Sequence, residues 1–324
     1  ALPTDHLTNA VSLLRDGRVS QTIHKQLLPN YDVFDEQRYF RAGESVECLE
    51  HLGLSLGVHV CEDAWWSAPE TDHGSSTARL VDPVGALAEQ GADVLINLSA
   101  SPFELDKPGR RISLFERHAT GHKIPFLFIN QVGGNDDLVF DGNSLVLGRD
   151  GHPVLQLASF RPDIQVVDLQ DLPATVPALE RPREEDLLEA LTLGLHDYMR
   201  KCGFSDCVLG LSGGIDSAVA ACVAARAVGP EHVHALLLPS RYSSDHSVSD
   251  ARLLAERLGI DHDIIPIDTI HAAYEQAPTV GAELVSRPAG LGEQNLQARI
   301  RGALVMERSN HNGWLALATG NKSE

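Results

Sequence analysis

Val208-Leu209-Gly210-Leu211-Ser212-Gly213-Gly214-Ile215-Asp216-Ser217 is a short apolar run that breaks into a Ser/Gly loop and leads into the alanine-rich segment Ala218 to Ala227. This order predicts strand, tight turn, helix. Two adjacent glycines let the backbone turn sharply and approach a ligand closely, and the first turn of the helix directs unpaired N–H groups at whatever lies in the turn. An anion suits such a turn, although a plain strand-to-helix connection would also carry a bare Gly-Gly. No Lys-Ser/Thr pair follows the glycines, so the stretch is not the phosphate loop of the kinase-like NTPases.

The alternation continues outward from this loop. Leu187 to Lys201 has an amphipathic helical pattern before it. After it come an apolar strand at Val233 to Leu238, a helix at Asp245 to Leu258, a third strand at Asp263 to Ile267, a helix from Glu293 toward Ser309 and a last strand at Trp314 to Thr319. Strand and helix in turn imply a doubly wound parallel sheet, whose ligands bind at the carboxyl ends of the strands. Ser240-Arg241-Tyr242-Ser243-Ser244 follows the second strand and so faces the same edge as Ser212 and Asp216. Upstream, Pro173, Pro177 and Pro182 with the charges Arg183 to Asp186 resist regular structure. We therefore expect a first domain at 1–172, a linker at 173–186 and a second domain at 187–324.

In the first half, Leu7 to Leu14 is mixed, and Val19 to His24 alternates as a strand that delivers Lys25. Lys25 to Phe40, rich in aromatics and turn formers, reads as an ordered loop. Leu54 to Val60 is a strand whose end presents Cys61-Glu62-Asp63. A helix at Arg79 to Gln90, a strand at Val94 to Leu98, a helix at Gly109 to Gly121 and a strand at Phe126 to Ile129 follow. Gly133 to Asp137 is a turn before Leu138 to Phe140, and Ser144 to Leu147 and Gln165 to Leu169 complete the strands. A lone cysteine after a strand is most often a small buried hydrophobe. As a nucleophile toward an amide it needs a proton acceptor and a donor for the leaving amine, and Lys25 with a carboxylate would serve.

The chain has 324 residues, 43% hydrophobic and 22% charged, enough for two cores. Its formal net charge of -19 disfavours a nucleic-acid partner, which clustered Lys and Arg would bind. Five cysteines without a C-x-x-C pair suggest neither a disulfide framework nor structural zinc, and point to a reducing cytoplasm. No run approaches a membrane span.

Ser212-Gly-Gly-Ile-Asp-Ser resembles the pyrophosphate loop of the ATP pyrophosphatases. Lys25-x-x-Leu-Pro-Asn-Tyr, Val33-Phe-Asp-Glu-x-Arg-Tyr-Phe, Cys61-Glu-Asp-x-Trp, Ser99-Ala-Ser-Pro-Phe and Phe140-Asp-Gly-Asn-Ser resemble the glutamine amidase domain of the glutamine-dependent NAD+ synthetases, as Thr319-Gly-Asn-Lys-Ser-Glu resembles their second domain. The resemblance implies an α/β chain in which a nitrilase-like α-β-β-α sandwich precedes a doubly wound ATP pyrophosphatase domain. It implies Lys25 and Cys61 as catalytic residues, with Glu62, Ser99 and Phe103 binding glutamine and Glu36 as a secondary carboxylate. Ser212, Gly213, Gly214, Asp216, Ser217 and Thr319 would bind ATP and pyrophosphate, Arg241, Asn295, Arg299 and Arg301 nucleotide or substrate, and Asp216 with Glu324 magnesium. The family's general-base Glu lies upstream of the Lys, and residues 1–24 contain none. Ala at position 1 and a motif running to residue 324 lead us to expect a piece of a longer protein.

The expected activity is a carbon-nitrogen ligase reaction: deamido-NAD+ is adenylated by ATP with Mg2+, and ammonia from glutamine, or free ammonia, gives NAD+. A homo-oligomer without nucleic-acid or membrane partners is expected. The rivals are another pyrophosphate-loop amidotransferase, against which the Lys25 and Cys61 motifs speak, and a silent subunit or binding protein that keeps the fold without turnover.

Overall fold

The apolar runs of the first half pair as the alternation dictates. The computed structural model describes residues 7–66, 68, 82–177, 181–276 and 291–320. The chain divides into two compact units, residues 1–133 with 137–190 and residues 134–136 with 191–324. In the first, β1 (Ala10–Arg15) and β2 (Arg18–His24) form an antiparallel ribbon. They are followed by β3 (Leu49–His51), β4 (Leu54–Val60), α1 (Pro83–Glu89), β5 (Val94–Ser99), α2 (Lys107–His122) and β6 (Phe126–Asn130). A hairpin of β7 (Val132–Asn135) and β8 (Leu138–Asp141) comes next, then β9 (Leu145–Leu147) and β10 (Pro153–Gln156). The six-stranded sheet runs β10-β9-β6-β5-β4-β3, with β4, β5 and β6 parallel at its centre. Leu95, Phe126, Phe128, Leu145 and Leu147 project from one face onto Val84 and Leu87 of α1 and Leu114, Phe115 and Ala119 of α2. α1 starts where it does because Asp82 accepts hydrogen bonds from the Val84 and Gly85 N–H groups at 3.1 Å each, and Pro83 has no N–H to satisfy.

The second unit holds most of α3 (Arg183–Cys202), then β11 (Cys207–Gly210), α4 (Ile215–Val228), β12 (Val233–Leu237), α5 (Asp245–Leu258), β13 (Asp261–Ile264), α6 (Asp268–Gln276), α7 (Leu291–Asn312) and β14 (Leu315–Leu317). All four strands are parallel in the order β13-β12-β11-β14, so the sheet is doubly wound. Alternation along β11 shows why. Cys207 and Leu209 pack with Ala221 and Ala224 of α4 and Ala251 and Ala255 of α5, while Val208 between them packs with Ile300 of α7. Among the described residues no helix is long and apolar enough to cross a membrane. All five cysteines are free thiols.

Three expectations are corrected. Gln165–Leu169 is irregular, not a strand: its neighbour Ile164 and its own Val166 are 92% and 97% exposed, and alternation without a pairing edge makes no sheet. The edge is taken by β10, whose proline start hid it. α1 begins at Pro83, and residues 79–81 of the expected helix lie outside the described residues. α3 begins at Arg183, so the end of the stretch 173–186 is already helical.

Two buried polar clusters tie loops to the sheet of the first unit. Asp63, 2% exposed, accepts hydrogen bonds from the backbone N–H groups of Gln26 at 2.9 Å, Leu27 at 2.8 Å and Val60 at 3.0 Å. Arg111, 1% exposed, donates from Nη1 to both Asp141 oxygens at 2.8 Å and from Nη2 to the carbonyls of Ser101 at 2.8 Å and Pro102 at 3.0 Å. Asn130 closes this second cluster, accepting from the Ser101 N–H at 2.9 Å.

Asp141→Ala leaves a buried guanidinium without its counter-ion and is expected to cost about 3–5 kcal/mol in denaturant unfolding; a loss below about 1 kcal/mol would contradict the pairing. Asp63 gives a pH signature. Burial pushes its carboxyl up to about 6, against the pull of its three N–H donors. The folded chain therefore holds this proton more tightly than the unfolded one. The resulting stabilisation is present below the ordinary aspartate range and is lost as pH rises from about 4 to about 6, by about 3 kcal/mol. Urea unfolding of the parent and Asp63→Asn over this range is expected to show their stability difference changing by that amount; a constant difference would contradict it.

Candidate functional site

β4 ends at Val60, and the chain turns into a 3-10 helix at Cys61–Trp65. Cys61 has φ +44°, in the left-handed region that a residue with a Cβ seldom adopts. The strained turn lies at the carboxyl end of the central parallel strands. Asn97 on β5 donates to the Cys61 carbonyl at 3.2 Å, and the Ser99 hydroxyl donates to Asn97 Oδ1 at 2.5 Å. Burial pushes the Cys61 thiol pKa up, while the Lys25 cation and a hydrogen bond with Ser99 pull it down.

Lys25 follows β2 and is 1% exposed; its Nζ donates to both oxygens of Glu36, at 2.7 and 2.8 Å. A buried ammonium needs such a partner to remain charged. Glu62, also buried, accepts from the Tyr31 hydroxyl at 2.9 Å, and burial followed by the Glu62 charge raises the Tyr31 pKa, which keeps it a donor. Phe103 is half-buried, its ring edge-on to Phe160 with centroids 5.2 Å apart, at the end of the loop that Arg111 grips. Lys25, Cys61 and Ser99 are thus brought together, with Glu62 next to Cys61 in the chain. Sequence reasoning missed Asp63, Arg111 and Asp141 as supports of this site. The carboxylates inside the Cys61 and Phe140 motifs were the only signal, because Asp63 meets Gln26 and Leu27 across 37 and 36 residues and Arg111 meets Asp141 across 30.

In the second unit, Ser212 to Ser217 close a ring of short bonds. The Ser217 hydroxyl donates to the Gly214 carbonyl at 3.0 Å and accepts from the Ser212 N–H at 3.2 Å, and the Gly214 N–H donates to Ser212 Oγ at 3.2 Å. Gly213 has φ +81°, and a Cβ there would stand 2.3 Å from the Ser247 carbonyl oxygen, so both conformation and space require glycine. No side chain caps the amino end of α4. Asp216 is exposed in its first turn and has no hydrogen-bond or ion-pair partner among the described residues.

Beside this loop a cavity of about 730 Å³ opens at the carboxyl edge of the sheet, a size suited to a small organic ligand. Ser212, Tyr242, Ser244, Arg301 and Thr319 supply polar groups to a lining otherwise rich in leucine, valine and alanine. Arg301 Nε donates to the Leu238 carbonyl at 3.0 Å, and burial lowers its pKa without discharging it. Arg241 does not line the cavity; it donates to Glu275 at 3.0 Å and to His271 Nδ1 at 2.8 Å. Asn295 and Arg299 are exposed on α7 and also lie outside the lining. Glu324 lies outside the described residues.

Residues 187–324 match the NAD synthase family. The chain is 43% identical over 323 residues to a glutamine-dependent NAD(+) synthetase of Synechocystis, covering 98% of this chain and 57% of that protein. It is 37% identical to the Thermotoga maritima protein of the same name, again over 98% of this chain and 59% of that one. Among solved structures, glutamine-dependent NAD+ synthetase from Acinetobacter baumannii in complex with adenosine diphosphate is similar at 37% identity with a TM-score of 0.88, over 99% of this chain and 59% of that one. The chain thus spans a little under 60% of the length of these relatives. Over that span it belongs to the glutamine-dependent NAD(+) synthetase family.

Proposed function

We propose that the protein makes NAD+ from deamido-NAD+, ATP and glutamine, residues 1–172 releasing ammonia and residues 187–324 activating the acceptor. The observation that carries the reading is the strained Cys61 in the field of the buried Lys25–Glu36 pair. Cys61 Sγ attacks the glutamine carboxamide carbon, its proton passes to a carboxylate, and Lys25 protonates the departing amine. The products are a thioester and ammonia, and water then returns the thiol and releases glutamate. Glu36 holds the Lys25 Nζ in place for this exchange through its two hydrogen bonds. Ser99, Glu62 and Phe103 are assigned to glutamine.

In the second half, the cavity between the Ser212 loop, Tyr242 and Arg301 suits the nucleotide of ATP, in keeping with the adenosine diphosphate bound by the Acinetobacter relative. Ser212, Gly213, Gly214, Ser217 and Thr319 are assigned to the phosphates. The nicotinate carboxylate is a poor acyl acceptor until adenylation gives its oxygen a good leaving group. Magnesium, when bound, neutralises phosphate charge. Asp216 fits it, as an exposed, unpaired hard oxygen donor beside the loop, with Glu324 as its proposed partner. Asn295 and Arg299 are assigned to substrate. A homo-oligomer is proposed with it, and five free thiols support a reducing cytoplasm.

Cys61→Ala is expected to abolish NAD+ formation from glutamine and to leave formation from ammonium chloride within about twofold, since nitrogen can then come from solution. Asp216→Asn is expected to lose at least about a hundredfold with either nitrogen source, because its role precedes amidation. Parental glutamine use by Cys61→Ala would overturn the amidase assignment, and normal AMP release by Asp216→Asn would overturn the adenylation site.

A further inference from the structure

His271, on α6, is 2% exposed, and its Nδ1 accepts a hydrogen bond from Arg241 Nη2 at 2.8 Å. A guanidinium can only donate, so the ring is neutral and carries its proton on Nε2. That nitrogen is buried without a hydrogen-bond partner among the described residues, and faces Glu293 Oε1 of α7 from 3.9 Å. One turn along α6, Glu275 places Oε1 3.5 Å from His271 Nδ1, and its Oε2 accepts from the same Arg241 Nη2 at 3.0 Å. Asp268 accepts from the Arg241 backbone N–H at 2.9 Å and stands 3.9 Å from its guanidinium. Three carboxylates therefore surround one guanidinium and one neutral imidazole, which leaves the cluster short of positive charge.

The donor atoms of His271, Glu275 and Glu293 lie within 4.8 Å of one another. His271 and Glu275 are four residues apart, a helical spacing that turns two ligands to one side. We propose that His271 and Glu275 bind a divalent transition-metal ion of the zinc class, which takes the place that the Arg241 guanidinium holds, while Glu293 orients the ring. Imidazole nitrogen with carboxylate oxygen is a donor set for zinc or cobalt rather than for magnesium, which takes oxygen alone. The ring already has the tautomer required: Nδ1 offers its lone pair, and Nε2–H points to Glu293. Closing that 3.9 Å gap gives the carboxylate-histidine-metal arrangement that fixes metal-binding rings. No proton is gained or lost by the imidazole. Arg241 is the species displaced, so ion occupancy frees the loop that also carries the cavity residue Tyr242, whose hydroxyl donates to Glu293. The inference is independent of the proposed reaction, since it concerns ion binding alone.

The test is a Co2+ titration of the protein followed by visible absorption, on the parent, His271→Ala, Glu293→Gln and Arg241→Ala, with circular dichroism as the check of folding. Nitrogen and oxygen ligation is expected to give d–d bands without the thiolate charge-transfer band that the free cysteines would produce. His271→Ala is expected to lose these bands, and Glu293→Gln to weaken binding about tenfold or more. Arg241→Ala is expected to bind about tenfold more tightly, because the competing cation is gone. Bands that persist in folded His271→Ala, or their absence in both the parent and Arg241→Ala, would overturn the site. Equal affinity in the parent and Arg241→Ala would overturn the exchange.

Discussion

The Asp63 carboxylate, through three backbone hydrogen bonds, does for the first unit what Lys25 and Cys61 cannot do for themselves. Gln26 and Leu27 immediately follow Lys25, and Val60 immediately precedes Cys61. One buried carboxylate thus clamps the segment that carries the cation to the turn that carries the thiol. The strain at Cys61, at φ +44°, is held by the same group, because the Val60 N–H it binds opens the turn. Desolvation raises the thiol pKa, and the neighbouring ammonium opposes that rise; the balance depends on a separation that Asp63 maintains.

Space plays the corresponding role in the second unit. Gly213 comes so close to the Ser247 carbonyl that no Cβ fits, and the loop therefore packs on the first turn of α5. Ser244, which caps α5 by accepting from the Ser247 N–H at 3.2 Å, fixes the other side of that contact and lines the cavity as well. The doubly wound order β13-β12-β11-β14 brings the loops after β11, β12 and β14 to one edge. Ser212, Tyr242 and Thr319 consequently face one cavity although more than a hundred residues separate the first from the last.

Most of this was legible where the chemistry is local. The apolar runs at β4, β5, β6, β11 and β12, the Gly-Gly turn and the helix that follows it, and the cysteine at a strand end all declare themselves within a few residues. Pairing is different. Gln165–Leu169 alternates as well as a strand does and finds no neighbour, whereas β10 begins with a proline and pairs with β9. The supports of the site were hidden for the same reason: Asp63 reaches back 36 and 37 residues, and Arg111 meets Asp141 30 residues on. Arg241 was legible as a charge at the ligand edge, but its engagement by His271 and Glu275 on α6, a helix that the sequence pattern did not mark, was not.

The central claim is that Cys61 is a nucleophile whose thiolate depends on Lys25. Its most direct test is the pH dependence of Cys61 alkylation by a chloroketone analogue of glutamine, read by peptide mass in the parent and in a folded Lys25→Met variant. Removing the cation is predicted to move the midpoint of the Cys61 profile to higher pH and to slow alkylation at neutral pH. A profile that stays where it was, or moves to lower pH, would contradict the account.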